Sequence, residues 1–311
     1  MNLAQGKDAS LEEESPVNWQ FDRVAESFGD ILNGPVWDGS GLLFCKVKSS
    51  EILRYDPESG ATSVVRKYTV QNRGLAFGPR GELYGAQSNS RRIVRYFDDG
   101  SAKYLESYLD GKRHNHPLDL IVDGQGRIWF TDPVGEPTVG GPNEYPALDH
   151  SSVLRLEKVS GSWTVKRMTY DTERPQGIAL SSDERTLYVT EGGQDVRTVR
   201  TLRAYPVNSD GSLGNPRLLH TFGNDHRGPQ AGGAGMCLDS EGNIVLAAGA
   251  GADGPGPLIY VLAPSGRVVE THPLPDGTAT NCCFGGPDLS ILFVTTREGL
   301  LFQVKGTGLK G

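Results

Sequence analysis

The stretch His114-Asn115-His116-Pro117-Leu118-Asp119-Leu120-Ile121-Val122-Asp123-Gly124-Gln125-Gly126-Arg127-Ile128-Trp129-Phe130-Thr131-Asp132-Pro133 decides how the rest of the chain is read. Residues 120–122 are a short apolar run, 123–126 are turn formers, and 128–130 are a second apolar run. Short apolar runs on either side of Asp and Gly spell strand, tight turn, strand. Ahead of the first strand stand three polar side chains, His114, Asn115 and His116.

The same frame recurs at 35–44, 75–84, 178–189, 236–246 and 282–294. Most copies are followed by a second apolar pair around another turn, as in Ile52-Leu53-Arg54-Tyr55-Asp56-Pro57 and Ile93-Val94-Arg95-Tyr96. Each unit therefore supplies about four strands at a period of roughly 40 to 60 residues, the spacing of a propeller blade. Six units predict an all-β, six-bladed β-propeller. A blade hides only one face of each strand pair, so the ring must close to remove its edges. The partly alternating segment 19–28 is placed to close it by pairing with the last unit. Residues 1–16 are polar and predicted to lack fixed structure, leaving 17–311 as one propeller domain. Three stretches break the frame: a Pro/Gly-rich insertion at 133–152 and glycine-rich loops at 223–235 and 248–257, placed either to cover a substrate or simply to connect.

Composition agrees and excludes some partners. The 311 residues include 41 Gly and 19 Pro, as many short strands and turns require. The net charge of −7 argues against nucleic-acid binding, which calls for a basic face. No apolar run approaches the roughly 18 residues of a membrane span, and the acidic start has no signal-like apolar region. Cys45, Cys237, Cys282 and Cys283 form no CxxC pair and read as reduced structural residues of a cytoplasmic protein. Gly249-Ala250-Gly251-Ala252-Asp253-Gly254 has dinucleotide-loop spacing but opens no helix, so it is read as a loop.

In a propeller the residues just ahead of each first strand converge on one mouth of the central channel. Aligning the copies on their turns places Asn33, Arg73, Leu118, Gln176, Ala234 and Thr280 in one ring, followed by Gly34, Gly74, Asp119, Gly177, Gly235 and Asn281. The small residues of the second ring let the backbone come close to the axis.

The chain resembles the gluconolactonase / senescence-marker-protein-30 / luciferin-regenerating-enzyme family of six-bladed propellers over residues 25–305. The resemblance is carried by Gly-Pro-Val-Trp-Asp at 34–38, Arg-Ile-Trp-Phe-Thr-Asp-Pro at 127–133 and Gly-Ile-Ala-Leu-Ser-Ser-Asp-Glu-Arg-Thr-Leu-Tyr-Val-Thr at 177–190. Gly-Met-Cys-Leu-Asp at 235–239 and Thr-Asn-Cys-Cys-Phe-Gly-Gly-Pro-Asp at 280–288 extend it. It implies a metal-dependent lactonase. In that family a divalent cation is typically held by Glu before Gly-Pro-Val-Trp, Asn in Pro-Asn-Asp, Asn in Pro-Asn-Gly and Asp in Pro-Asp-Gly. Those positions here are Asn33, Leu118, Gln176 and Ala234. Both carboxylates are gone and one ligand is a leucine, whereas a hard cation needs several oxygens, usually including carboxylate. Arg73 stands where the family often has Asn. A guanidinium there repels a cation and can hold a carboxylate or a developing oxyanion.

The expected function is a metal-independent enzyme with no cofactor, acting on a small oxygenated metabolite by lactone or ester hydrolysis, ring closure or isomerisation. Arg73 is the expected electrostatic anchor, and His116 or His114 the acid/base, since histidine suits proton transfer near neutral pH. If 114–116 is extended, the two histidines point the same way. Asn33, Asn115, Gln176, Thr280 and Asn281 are the expected orienting groups, with Leu118 and Ala234 making the mouth more apolar. His226 is a weaker candidate. Two alternatives stand beside this reading: a metal-dependent lactonase with ligands redrawn from His114, His116 and Asp119, and a non-catalytic binding propeller.

Overall fold

Six four-stranded antiparallel sheets follow one another along the chain, five of them read from the axis outwards in sequence order and the last completed by the N-terminal strand. The computed structural model describes residues 18–135, 147–192, 199–223, 232–249 and 256–311. The inner strands of blades 1 to 6 are Leu32–Trp37, Asn72–Phe77, Leu120–Val122, Pro175–Leu180, Gly233–Leu238 and Ala279–Gly285. The second strands are Leu42–Lys46, Leu83–Gln87, Ile128–Asp132, Thr186–Glu191, Ile244–Ala248 and Ile291–Thr296. Every frame repeat of the sequence is thus an inner hairpin, and the fold is the six-bladed β-propeller expected. A small extra hairpin, Tyr108–Leu109 with Lys112–Arg113, precedes blade 3. Residues 1–16, His226 and most of the three irregular stretches lie outside the described residues.

The burial pattern explains the composition of each strand. Ile128–Asp132 and Ile244–Ala248 are buried along their whole length, because second strands are covered on both faces by neighbouring blades. Such strands read as continuous apolar runs. Outer strands such as Thr62–Lys67 are largely exposed and polar. The turns are fixed by Asp side chains that accept hydrogen bonds from backbone N–H groups two to four residues on. Asp123 takes them from Gln125 (3.1 Å) and Arg127 (2.9 Å), and Asp239 from Glu241 (3.0 Å) and Asn243 (2.7 Å).

The ring closes through its N-terminal segment. Asp22–Arg23 pairs antiparallel with Leu301–Val304 and supplies the outer strand of blade 6. The pairing continues through Val24 N–H to the Leu301 carbonyl and Phe28 N–H to the Gly299 carbonyl, both 2.9 Å. Trp19 is buried in the core between blades 5 and 6 and stacks on His272 at 3.8 Å between ring centroids. The closing strand predicted within 19–28 is therefore present.

Candidate active site

Five of the six inner strands carry a β-bulge at the same level. The register shifts lie between Asn33 and Val36, Asn72 and Leu75, Pro175 and Ile178, Gly233 and Met236, and Ala279 and Asn281. Bulges re-aim side chains and are frequent beside functional sites. Here they lie beside Asn33, Arg73, Gln176, Ala234 and Thr280, which sit at the second position of these strands rather than ahead of them and line one mouth of the channel. In blade 3 the strand begins later, at Leu120, and Leu118 and Asp119 precede it.

The small residues at this level are required by close approach. A Cβ on Gly177 would stand 2.2 Å from the Ala234 carbonyl oxygen. One on Gly34, which also has φ of +56°, would stand 2.2 Å from the Arg73 carbonyl oxygen. Threonine hydroxyls then tie one blade to the next. Thr131 Oγ1 donates to the Gln176 carbonyl and Thr190 Oγ1 to the Ala234 carbonyl, each at 2.7 Å. Thr280 Oγ1 donates to the Leu32 carbonyl at 2.6 Å and so joins blade 6 to blade 1.

The result is a cavity of about 710 Å³ at the mouth. It brings together Asn33, Arg73, His116, Leu118, Gln176, Ala234, Thr280 and Asn281 of the predicted set. Thr280 lines it with a hydroxyl already engaged in the blade contact. Asn33 Oδ1 accepts the Gly34 N–H at 2.7 Å, which leaves its amide N–H groups for the cavity. Gln176 makes only long contacts of 3.5 Å with nearby carbonyls.

Two predicted residues are elsewhere. His114 is fully buried and absent from the lining; its ring packs against Phe130 at 5.1 Å, and neither ring nitrogen has a hydrogen-bond partner. Burial, with Arg113 and Arg91 nearby, pushes its pKa down to about 3. It is a neutral core imidazole and cannot serve as acid/base for a cavity it does not reach. Asn115 is buried too. Its backbone N–H goes to Asp132 Oδ2 at 2.7 Å, and its amide donates to the carbonyls of Asp132 (3.2 Å) and His150 (3.0 Å). The two histidines do not share a side, because 114–119 is irregular chain rather than strand.

His116 does face the cavity, held by its N–H to the Pro133 carbonyl at 3.2 Å. A Cβ on Gly135 would stand 2.5 Å from its ring, so this glycine gives the imidazole its room. Burial, then Arg91 and Arg73, hold its pKa below the usual value. Arg73 is likewise depressed, first by burial and then by Arg297. Asp119 was expected only as a possible metal ligand. It is buried at the cavity wall, where desolvation raises its carboxyl to about 7 against the backbone N–H groups of Leu120 and Ile178 and the Asn281 amide. Its Oδ1 accepts from Leu120 N–H at 3.1 Å, and Asn281 Nδ2 lies 3.4 Å from Oδ2.

The remaining wall was missed by the sequence reading. Ser88, Asn89, Val134, Gly192 and Arg297 all follow second strands, and Arg174 precedes the inner strand of blade 4. In an antiparallel hairpin the end of the second strand lies beside the start of the first. The residues just after each second strand were therefore a readable signal for the same mouth.

The donors do not suit a divalent cation. Among the described residues no three His, Cys, Asp or Glu side chains cluster so as to hold a metal. The single acidic side chain among the described lining residues is Asp119, and Leu118 and Ala234 offer no side-chain oxygen. His114 is turned away, so the redrawn set of His114, His116 and Asp119 is not assembled. The described residues contain no helix long and apolar enough to cross a membrane.

Comparison with known proteins agrees with the geometry. A family profile described as SMP-30/Gluconolactonase/LRE-like region matches residues 32–298. A gluconolactonase of Zymomonas mobilis is 27% identical, with 97% of this chain and 85% of the relative covered. A pentonolactonase of Haloferax volcanii is 29% identical over 89% of this chain and 85% of its own length. The solved structure of a gluconolactonase from Xanthomonas campestris superposes with a TM-score of 0.75 at 29% identity, covering 92% of this chain and 89% of that one. Over almost its whole propeller, then, this chain belongs to the SMP-30/gluconolactonase/LRE-like family.

Proposed function

We propose that this protein is a lactone hydrolase that works without a divalent cation. The observation that carries the reading is one cavity lined by both Arg73 and the buried Asp119, at a mouth whose described residues do not fit a cation. Two relatives named as lactonases, a gluconolactonase and a pentonolactonase, support the reaction class.

Ionised Asp119 takes a proton from water as the water oxygen attacks the lactone carbonyl carbon. A general base acts best with a pKa near the working pH, and Asp119 sits at about 7. The carbonyl electron pair moves onto oxygen, and Arg73 stabilises that charge with directed N–H donors in a partly desolvated site. The ring C–O bond then breaks. The departing alkoxide recovers a proton from Asp119, and the product is a hydroxy acid. His116, whose depressed pKa keeps it neutral at pH 7, accepts a hydrogen bond from the water or the substrate hydroxyl. Asn281 holds Asp119 in place, and Asn33 and Gln176 orient substrate hydroxyls. Leu118 and Ala234 favour a substrate with fewer hydroxyls than a sugar lactone.

The test is a lactone panel assayed by acid release, with enzyme dialysed against chelator. Full activity after chelation, together with a loss of about a hundredfold or more in Asp119→Asn and Arg73→Met, is expected. Activity that disappears with chelator and returns with calcium or zinc would refute the reading.

A further inference from the structure

The proposed reaction uses one positive charge, but the mouth carries more. Arg73, Arg174 and Arg297 all line the cavity, and they come from blades 2, 4 and 6, alternate positions around the ring. Among the described residues no salt bridge joins any of the three to a carboxylate, although carboxylates are the more numerous charges in this chain, whose net charge is −7. Other arginines of the propeller are paired. Arg54 is held by Asp38, Arg127 by Asp123, Arg155 by Glu157 and Arg203 by Asp171. The Arg297 charge adds to burial in holding Arg73 below its ordinary value. Three like charges facing one cavity, against the single carboxylate of Asp119 among its described lining residues, are relieved by an anion bound there.

A neutral sugar lactone gives Arg73 a carbonyl oxygen and leaves Arg297 with nothing to neutralise. We propose that the substrate is an acidic lactone, one that carries a carboxylate or phosphate besides the ester it presents for hydrolysis, and that Arg297 reads the extra charge. This rests on the lactonase reading and narrows it. Arg297 follows the second strand of blade 6, and its N–H is fixed by the Thr278 carbonyl at 2.9 Å, so its backbone is anchored while its exposed side chain reaches over the mouth. Arg174, across the ring on blade 4, adds to the field that draws an anion in. Nothing else in the proposed chemistry calls for more than one of these three cations.

Kinetics with three probes test this. The neutral gluconolactone, the carboxylated glucarolactone and a phosphogluconolactone are compared at low and high salt. One of the two acidic lactones is expected to exceed gluconolactone in kcat/KM by about tenfold or more, the scale of a charge-assisted hydrogen bond. Which of them does so distinguishes carboxylate from phosphate. The preference should shrink at high salt. Arg297→Gln should pull the ratio toward one while its melting temperature stays at the wild-type value. The inference is overturned if gluconolactone is turned over as well as both acidic lactones, or if Arg297→Gln leaves an acidic preference intact. If no lactone is hydrolysed, the lactonase reading has failed by itself. Calorimetry with glucarate, phosphogluconate and gluconate then decides this inference: tighter binding of either doubly acidic ligand that is lost in Arg297→Gln supports it, and equal binding of all three overturns it.

Discussion

Replacing Asp119 by asparagine should make the protein inactive and, at neutral pH and above, relatively more stable. In the folded protein the carboxyl titrates at about 7, against 3.8 for the unperturbed group. The cause is burial, which the Leu120 N–H at 3.1 Å and the Asn281 amide at 3.4 Å only partly offset. A carboxyl whose folded pKa is raised binds more protons folded than unfolded. The stability it contributes is complete below its unfolded pKa and is lost as pH rises through the folded value. The span from 3.8 to about 7 corresponds to roughly 4 kcal/mol lost by pH 8 and about 1.5 kcal/mol already lost by pH 5. Asparagine does not titrate, so between about pH 5 and pH 8 the variant should gain on the wild type by on the order of 3 kcal/mol.

A fixed penalty lies on top of this. Asparagine must turn an N–H toward Asn281 Nδ2, whose amide oxygen is already taken by the Cys282 N–H at 2.8 Å. Two donors facing each other cost about 1–3 kcal/mol at every pH. The difference between the proteins should therefore favour the wild type at about pH 4 and the variant at about pH 8. Asp132, also raised to about 7 by burial, titrates in both proteins and cancels in the comparison. Guanidinium melts of wild type and Asp119→Asn across this range are the assay, with kcat/KM measured alongside. Wild-type kcat/KM should rise with pH through about 7 as the base ionises. If the two stability curves run parallel from acid to alkali, Asp119 does not titrate near neutrality and is not the base.

Other substitutions test separate steps. His114→Leu removes two buried ring nitrogens that have no partner, so melting should be unchanged or higher and kcat/KM should stay within about twofold; a catalytic loss would return this histidine to the site. Gly177→Ala puts a Cβ 2.2 Å from the Ala234 carbonyl oxygen, which should cost about 1–3 kcal/mol or more in denaturant melts and displace Gln176 and Ala234 at the mouth, lowering kcat/KM as well. Trp19→Ala opens the core that seals blade 6 and should cost about 3–5 kcal/mol with little change in KM, because Trp19 lies outside the cavity lining.

The fold was legible because each blade repeats the same physical demand. A short inner strand, an Asp-fixed turn and a second strand covered on both faces leave a pattern that any copy shows. Asp123 with Ile128–Asp132 shows it as clearly as Asp239 with Ile244–Ala248. The first ring at the mouth was legible for the same reason, since position within the repeat fixes position around the axis. His114 and His116 were not separable. Their spacing suggests one shared side, but the chain from 114 to 119 is irregular, and its hydrogen bonds to Pro133 and Thr131 decide which ring turns inward. Arg297 was missed because the sequence was aligned on the starts of the inner strands, whereas it follows the second strand of blade 6.

Asp119 was in view only as a possible metal ligand, and the reason links the residues of the site to one another. Its neighbours in sequence reveal neither its burial nor the charges around it. A divalent cation at this mouth would hold an adjacent carboxylate ionised and make it a poor acid. With Leu118 and Ala234 in place of oxygen donors, burial dominates and brings the carboxyl to about 7. In the proposed reaction Arg73 supplies the positive charge that a carbonyl oxygen needs as it becomes an oxyanion. On the proposed reading, the apolar residues at 118 and 234, the guanidinium at 73 and the raised pKa of Asp119 act together. Placing carboxylates at positions 33 and 234 is therefore expected to give a calcium site only when position 73 is changed as well, which calorimetry with calcium checks.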